Sequence, residues 1–266
     1  MTAILQISDT HIVAEGAVVA GRLNTAHALK RLVARISTIR HQIGVLDAVL
    51  VSGDISDDGS AESYEHFKKL IAPLDLPLHL IPGNHDARAL MRSAFADQIQ
   101  NDGPINWSHK IGDIYLVGLD TLVEGQKHGM LTADTLTFLR TALDHALGAP
   151  VLLALHHPPF SSGIRFMDDI GLTNQDAFKD AVDGYAGELR TICGHIHTMM
   201  IRTVAGHVAM SAPSPNSTFA FDRRSDAPVG FHAQDDGCLL HRWDAGFQSI
   251  RIGPSDGAGP FPFKID

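Results

Sequence analysis

The segment Ala3–His11 has the sequence AILQISDTH, in which a short apolar run ends directly in an aspartate and a histidine. Such a run is typical of a buried strand. The same arrangement recurs where Ala48–Gly53 (AVLVSG) leads into Asp54. In α/β sheets, ligand-binding side chains gather just beyond the carboxyl ends of the strands. The segment therefore predicts both a sheet and a functional site at the edge of that sheet.

Apolar runs alternate with amphipathic stretches over the first two-thirds of the chain, which predicts an α/β fold. The predicted strands are Ala3–Ser8, Ala48–Ser52, Leu78–Ile81, Ile114–Leu119, Val151–Leu155 and Leu189–Cys193. The first predicted helix follows an N-cap at Asn24 and includes Leu29–Ile43. The other predicted helices are Glu62–Leu74, Arg88–Phe95, Thr132–Ala146 and Gln175–Val182. A second, more antiparallel sheet is predicted in the last third from Arg202–Val204, Val208–Met210, Gly237–Trp243 and Gly246–Ile252.

The composition excludes several classes of protein. Of the 266 residues, 44% are hydrophobic, which excludes a disordered chain. No apolar run approaches the roughly 18 residues of a membrane-spanning helix, so no membrane partner is expected. The net charge of -9 and the lack of a basic face argue against long nucleic acids as partners. Two cysteines give no disulfide framework, and together with the absence of a signal peptide they predict a cytoplasmic protein.

Histidine, aspartate and asparagine side chains follow five of the predicted strands. They are Asp9 and His11, Asp54, Asn84 with His85 and Asp86, His156 with His157, and His195 with His197. These nitrogen and oxygen donors suit Zn, Mn, Fe or Co. They are too many for one tetrahedral site but fit two divalent ions, with a carboxylate such as Asp54 as a bridge. Two ions roughly 3.5–4 Å apart can hold both the attacking and the leaving oxygen of a displacement at phosphorus.

The charges of such a site favour a phosphodiester. Two divalent ions carry more positive charge than Asp9, Asp54 and a bridging hydroxide can neutralise. The single positive charge that remains matches a singly charged diester, whereas a monoester dianion would exceed it.

Five motifs in order resemble the calcineurin-like metallophosphoesterases, over about 190 residues. They are D-x-H at Asp9–His11, G-D-x-x-D at Gly53–Asp57, G-N-H-D at Gly83–Asp86, H-x-P at His156–Pro158 and G-H-x-H at Gly194–His197. The chain length and the H-H-P-P form are most similar to bacterial class III cyclic nucleotide phosphodiesterases and related glycerophosphodiesterases. The resemblance implies a four-layer αββα sandwich of two mixed β-sheets.

The resemblance also implies a role for each motif residue. It implies one metal held by Asp9, His11 and His197, a second held by Asn84, His156 and His195, and Asp54 as the bridge. It places Asn84, His85, His197 and His157 against the substrate. His85 would serve as a hydrogen-bond donor or general acid, and Asp86 would orient it. The implied reaction is hydrolysis of a cyclic nucleotide or glycerophosphodiester by in-line attack of a metal-bound hydroxide.

The resemblance leaves alternatives open. A broad phosphomonoesterase or a catalytically silent metal-binding scaffold is compatible with the same motifs. Asp58 occupies the position at which protein phosphatases of this superfamily carry a phosphate-gripping arginine, which argues against that activity. Residues 1–266 are expected to form one domain with cap segments near 157–176 and 212–236. A C-terminal arm, 253–266, is expected to pack in a homodimer or higher homo-oligomer, as is common in the family.

Overall fold

Two large β-sheets form the centre of the protein, whose computed structural model describes residues 1–263. The first sheet contains, in spatial order, β13 (Phe247–Ile252), β12 (Cys238–Trp243), β1 (Thr2–Ile7), β2 (Ala48–Ser52) and β3 (Leu78–Ile81). The second contains β4 (Trp107–Ile111), β5 (Ile114–Leu119), β6 (Val151–Leu155), β7 (Leu189–Cys193), β9 (His207–Ser211) and β8 (Ile201–Val204). A short separate pair is formed by β10 (Ser217–Thr218) and β11 (His232–Ala233).

Both sheets are mixed. In the first, β1, β2 and β3 are parallel, whereas β12 is antiparallel to β1, with Leu5 opposite Leu240. In the second, β5, β6, β7 and β9 are parallel, and β4 and β8 add antiparallel edges. The predicted separate sheet in the last third of the chain is therefore wrong. Its strands are divided between the two sheets, because each finds its partner among strands far away in the sequence.

Five helices follow the predicted order, with changes at their ends, and a short further helix, Arg165–Asp168, was not predicted. The α-helices of residues 1–263 are α1 (Thr25–Ile43), α2 (Ala61–Ile71), α3 (Arg88–Ala94), α4 (Ala133–Ala146), α5 (Arg165–Asp168) and α6 (Gln175–Val182). Asn24 is the N-cap of α1, as predicted, and its side chain accepts from the backbone N–H of His27. The helix predicted to reach Leu74 ends at Ile71, and a 3-10 turn that contains Pro73 follows. Proline lacks the N–H that would continue the α-helical pattern.

Three apolar cores separate four layers. Because side chains alternate along a strand, Ile4 faces the second sheet, whereas Leu5 faces the helices. Between the sheets, Ile4 belongs to the same core as Leu152 of β6. The outer core of the first sheet includes α1 and α2, and that of the second sheet includes α4 and α6. The predicted four-layer αββα sandwich is confirmed.

The carboxyl ends of β1, β2, β3, β6 and β7 meet at one edge of the sandwich, where the loops that follow them carry the motifs. Within residues 1–263, no helix has both the length and the apolar character needed to cross a bilayer. Cys193 and Cys238 are both free and buried. Residues 253–263 have no regular secondary structure, and the last three residues of the predicted arm lie outside the described residues.

Candidate active site

Asp9, His11 and His197 form a first cluster of buried side chains. The Nε2 atoms of His11 and His197 lie 3.2 Å apart. The Nε2 atom of His197 also lies 3.5 Å from Oδ1 of Asp9. The loops after β1 and β7 therefore bring residues almost 190 positions apart into direct contact.

Asn84, His156 and His195 form a second cluster around the amide oxygen of Asn84. Oδ1 of Asn84 lies 3.0 Å from Nδ1 of His195 and 3.3 Å from Nε2 of His156. The three side chains come from the ends of β3, β6 and β7. One nitrogen of each histidine ring thus lies within 3.3 Å of the same amide oxygen.

Asp54 lies between the two clusters. Its Oδ2 atom is 3.6 Å from Nε2 of His11 in the first cluster and 3.4 Å from Nε2 of His156 in the second. The other carboxylate oxygen accepts a hydrogen bond of 2.9 Å from the backbone N–H of His85. One oxygen is therefore fixed by the backbone, while the other faces both clusters.

The backbone of the candidate site is strained. Among residues 1–263, ten residues other than glycine have positive φ, and five of the ten are candidate metal ligands: Asp9, His11, Asp54, His195 and His197. Each such residue costs on the order of 1–3 kcal/mol, which persists only where the surrounding structure enforces it. Concentration of this strain in the two clusters and Asp54 indicates that the fold is built around their geometry.

Two glycines allow the loops to approach Asp54 closely. Gly53 has φ of +94°, which side-chain-bearing residues rarely adopt. A Cβ atom on Gly83 would lie 2.1 Å from Oδ1 of Asp54. These glycines permit the close turns that bring the candidate ligands together.

Hydrogen bonds at Nδ1 fix the tautomers of three histidines. Nδ1 of His11 lies 3.0 Å from the Asp57 carboxylate, and Nδ1 of His156 lies 2.8 Å from the Ser52 carbonyl. Nδ1 of His197 lies 3.0 Å from Oγ of Ser217, which donates its own proton to Asn216. All three partners accept, so each histidine donates from Nδ1 and, when neutral, presents a lone pair at Nε2.

The arrangement fits bound cations. When both rings are neutral, the Nε2 lone pairs of His11 and His197 face each other at 3.2 Å, which is repulsive unless a metal cation or a proton lies between them. Within residues 1–263, the buried Oδ2 atom of Asp9 has no hydrogen-bond partner. Buried polar atoms rarely remain unpaired in native proteins. The mixed nitrogen and oxygen donors are those of Zn, Mn, Fe or Co sites.

The charges in the two clusters shift their pKa values strongly. Burial alone would lower the pKa of His156, but the nearby Asp54 carboxylate raises it to about 9. Burial would raise the pKa of Asp54, but His156 holds it well below the usual range. Burial, together with the neighbouring histidines, lowers the pKa of His195 and His197. These last two imidazoles are therefore neutral, which is the form that binds metal.

His85 lies at the open side of the site, with 40% of its side chain exposed. Its Nδ1–H donates to the backbone carbonyl of Asp57 at 2.8 Å. Its ring packs edge-on against His11, with ring centroids 4.8 Å apart. The Nε2 atom of His85 is therefore the ring nitrogen left for a substrate.

Two residues have contacts that differ from their predicted roles. Asp86 does not orient His85, because its carboxylate is buried and accepts hydrogen bonds from four other groups: Gly83 N, Ile55 N, Ser56 N and Tyr64 Oη. His157 does not line an open pocket, because it is fully buried. Its two ring nitrogens contact Thr121 Oγ1 and the Lys127 carbonyl, at 2.8 and 3.1 Å. Burial, and then His156, lowers the pKa of His157 to about 3.

Asp57 and Ser217 are neighbours of the clusters that the sequence did not single out. Asp57, and not Asp86, is the carboxylate beside His85, with Oδ1 of Asp57 3.6 Å from Nδ1 of His85. Its place as the last residue of the G-D-x-x-D motif was the available signal. Ser217 lies in a turn-rich segment with no motif, so no local pattern connects it to His197.

The comparisons with known proteins agree with this geometry. The calcineurin-like phosphoesterase family model matches residues 2–199. The chain is 35% identical over 249 residues to the 3',5'-cyclic adenosine monophosphate phosphodiesterase CpdA of Pseudomonas aeruginosa, covering 89% of this chain and 87% of the relative. It is 29% identical over 265 residues to the "Probable glycerophosphodiester phosphodiesterase GpdQ" of Arcobacter nitrofigilis, covering 98% and 96%.

Solved structures show the same fold at low identity. A dimetal phosphatase from Danio rerio matches with a TM-score of 0.66 and 15% identity, covering 96% of each chain. The purple acid phosphatase PPD1 of Lupinus luteus matches with a TM-score of 0.71 and 12% identity, covering 97% of this chain and 52% of that one. The family match over most of the chain confirms the resemblance found in the motifs. This chain belongs to the calcineurin-like phosphoesterase family.

Proposed function

We propose that this chain hydrolyses a small phosphodiester, a 3',5'-cyclic nucleotide or a glycerophosphodiester, with two divalent cations. The observation that carries the proposal is the position of Asp54 Oδ2, within 3.6 Å of His11 and 3.4 Å of His156. Such an oxygen can be shared by two cations. The relatives named as phosphodiesterases of both substrate types support the choice of a diester.

In this proposal each cluster holds one cation. Asp9, His11 and His197 would hold the first, Asn84, His156 and His195 would hold the second, and Asp54 would be shared. When bound, divalent cations polarise the phosphoryl oxygens and make a nucleophile from water at neutral pH. The hydrogen bonds to Asp57, Ser52 and Ser217 keep the three histidine rings aimed at these positions.

His85 is the proposed general acid. Its Nδ1–H is fixed on the Asp57 carbonyl, so a proton on Nε2 can pass to the leaving alcohol oxygen. Its backbone N–H holds Asp54, which ties the position of the acid to that of the shared carboxylate. Asn84 and His197 border the same space and are proposed to contact the phosphate.

The charge of the site favours a diester. Asp57, 3.0 Å from His11, adds a negative charge to those of Asp9 and Asp54. This charge reduces the attraction for a phosphomonoester dianion more than that for a diester monoanion.

The organic part of the substrate has space beside the first cluster. A cavity of about 480 Å³ lies between segments 164–169 and 220–232, within the two predicted cap segments. Phe219 connects the cavity to the site. Its ring centroid lies 4.6 Å from that of His197 and 5.3 Å from that of Phe166, and Phe166 lines the cavity. Sites for small molecules are typically concave and largely apolar. We therefore propose that the cap segments cover the leaving group.

The first test compares bis(p-nitrophenyl) phosphate with p-nitrophenyl phosphate after loading with Mn²⁺. We expect faster hydrolysis of the diester, and loss of both activity and metal in Asp54→Ala. Asp58→Ala is the matched control, because this neighbouring carboxylate accepts from Ser60 and Ser63 at the start of α2 instead. A faster monoester reaction would favour a phosphomonoesterase. Two bound cations without turnover would favour a silent scaffold.

We also retain the proposal of a homo-oligomer. The arm carries Phe261 and Phe263, which are 77% and 96% exposed in the single chain. Light scattering coupled to size-exclusion chromatography is expected to give at least a dimer mass, and a monomer mass would contradict it. The cytoplasmic location suggested by the cysteine content stays a prediction.

A further inference from the structure

Gln6 is a fully buried polar side chain on β1, three residues before Asp9. It shares its face of the strand with Ile4, which lies in the core between the two sheets. An amide in such a place must find its hydrogen-bond partners inside the protein, because an unpaired one would be strongly unfavourable. Its partners therefore show what the side chain does.

The amide of Gln6 joins the two sheets directly below the second cluster. Its Nε2 donates to Oγ of Ser52 at 2.8 Å and to the carbonyl of Cys193 at 3.1 Å. Ser52 ends β2 in the first sheet, and Cys193 ends β7 in the second. The Ser52 carbonyl accepts from Nδ1 of His156, and Cys193 is two residues before His195. Both contacts of one amide group thus lead to histidines of the second cluster.

His241 fixes the orientation of this amide. Oε1 of Gln6 lies 2.9 Å from Nε2 of His241, which must donate because the oxygen only accepts. Nδ1 of His241 then accepts from the hydroxyl of Ser249 at 2.7 Å, and Ser249 in turn accepts from Arg190 at 2.9 Å. Burial, and then the charge of Arg190, lowers the pKa of His241 to about 3, so the ring stays neutral. The hydrogen-bond directions are therefore consistent along the whole chain of contacts.

Within residues 1–263, the first cluster is linked to Gln6 only through one further residue, because Oγ of Ser52 donates to Oγ of Ser8 at 2.8 Å and Ser8 precedes Asp9. His11 is held by Asp57 and His197 by Ser217, both on the other side of the site. We therefore expect a change at Gln6 to act more strongly on the second cluster than on the first.

We propose that Gln6, oriented by His241, is a positioning residue that sets the spacing of His156 and His195 and so the cation affinity of the second cluster. This inference rests on the proposed function, because it assumes that each cluster holds a cation. It assigns a role to a buried network that takes no part in the reaction itself.

The test measures Mn²⁺ affinity by electron paramagnetic resonance in chelator-treated protein. His11→Ala removes one ligand of the first cluster, so that tight binding reports on the second, and His156→Ala does the reverse. Gln6→Met, which keeps the chain length but removes both the donor and the acceptor, is added to each background. We expect affinity to fall by about 10–100-fold in the His11→Ala background and by less than about twofold in the His156→Ala background.

A second variant separates positioning from folding. Gln6→Met alone leaves the buried Nε2–H of His241 without an acceptor. The double variant Gln6→Met with His241→Phe removes the donor and the acceptor of this hydrogen bond together. We expect this double variant to unfold close to the wild-type temperature and still to bind the second cation weakly. Equal loss in both clusters, or wild-type binding by the folded double variant, would overturn the inference alone. A wild-type protein that binds only one cation would overturn the proposed function as well.

Discussion

Asp57 contacts both a candidate metal ligand and the proposed general acid. Its carboxylate lies 3.0 Å from Nδ1 of His11, and its backbone carbonyl accepts from Nδ1 of His85. The side chain is 27% exposed, so it lies between the buried clusters and the solvent. The orientation of His11 and that of His85 are therefore both set by one residue.

Replacing Asp57 by asparagine should slow the reaction without removing the cations. The amide cannot supply the charge that strengthens the hydrogen bond to His11, so the ring is held less firmly. We expect kcat for the model diester to fall by about 10–100-fold, with two metal equivalents retained by elemental analysis. Asp58→Asn is the control, with kcat expected to stay near wild type. Equal losses in the two variants would show that the loop, and not Asp57, is responsible.

The donor residues themselves were predictable, but their surroundings were not. Asp9, Asp54 and His195 directly follow strands or the glycine after a strand, so the sequence alone indicates that they share one edge. Left-handed backbone at these same residues has no signal in the sequence, because residue types other than glycine rarely adopt it. The contact between Ser217 and His197 depends on how distant loops pack, which no local pattern records.

Asp86 ties together three elements around the site. Its carboxylate accepts from the backbone of Gly83 after β3, from Ile55 and Ser56 after β2, and from the hydroxyl of Tyr64 on α2. Burial, and then the charge of Asp54, raises the pKa of Asp86 to about 6. The carboxylate thus organises the loops that carry Asp54 and Asn84, which is a structural role.

Replacing Asp86 by alanine should therefore destabilise the protein. Each buried donor left without an acceptor costs about 1–3 kcal/mol, and relief of the buried charge offsets part of that loss. We expect the free energy of unfolding in urea to fall by about 2–4 kcal/mol. Tyr64→Phe, which removes one of the four donors, should cost less. A variant with wild-type stability but slow turnover would restore the catalytic role that the sequence suggested.

Elements with a buried face were predicted well, and edge elements were not. The strand β4 was missed because its three central residues, Ser108, His109 and Lys110, are all exposed. Such a strand has no alternation of apolar and polar residues to reveal it. The four residues of α5 are likewise too few to show a helical period.

The arrangement of the last third depends on pairing across the whole chain. Strand β12 continues the first sheet through β1, and β9 continues the second through β7. Local patterns predicted that these segments are strands, although β9 is parallel to β7 and not antiparallel as expected. They could not show which sheet each would join, since the partners lie up to 241 positions away, as for Thr2 opposite Trp243.

Cation removal should lower the stability of the whole protein. The two clusters exist only in the folded chain, so bound cations stabilise it by mass action, by about 2.7 kcal/mol at a concentration 100-fold above Kd. For a chain of this size we expect chelation to lower Tm by about 5–10 °C. Burial already raises the pKa of Asp9, and chelation leaves its buried Oδ2 without any partner. Differential scanning calorimetry with and without EDTA measures the shift, and Asp54→Ala should show little of it. An equal Tm in both conditions for the wild-type protein would mean that the folded chain gains nothing from cations.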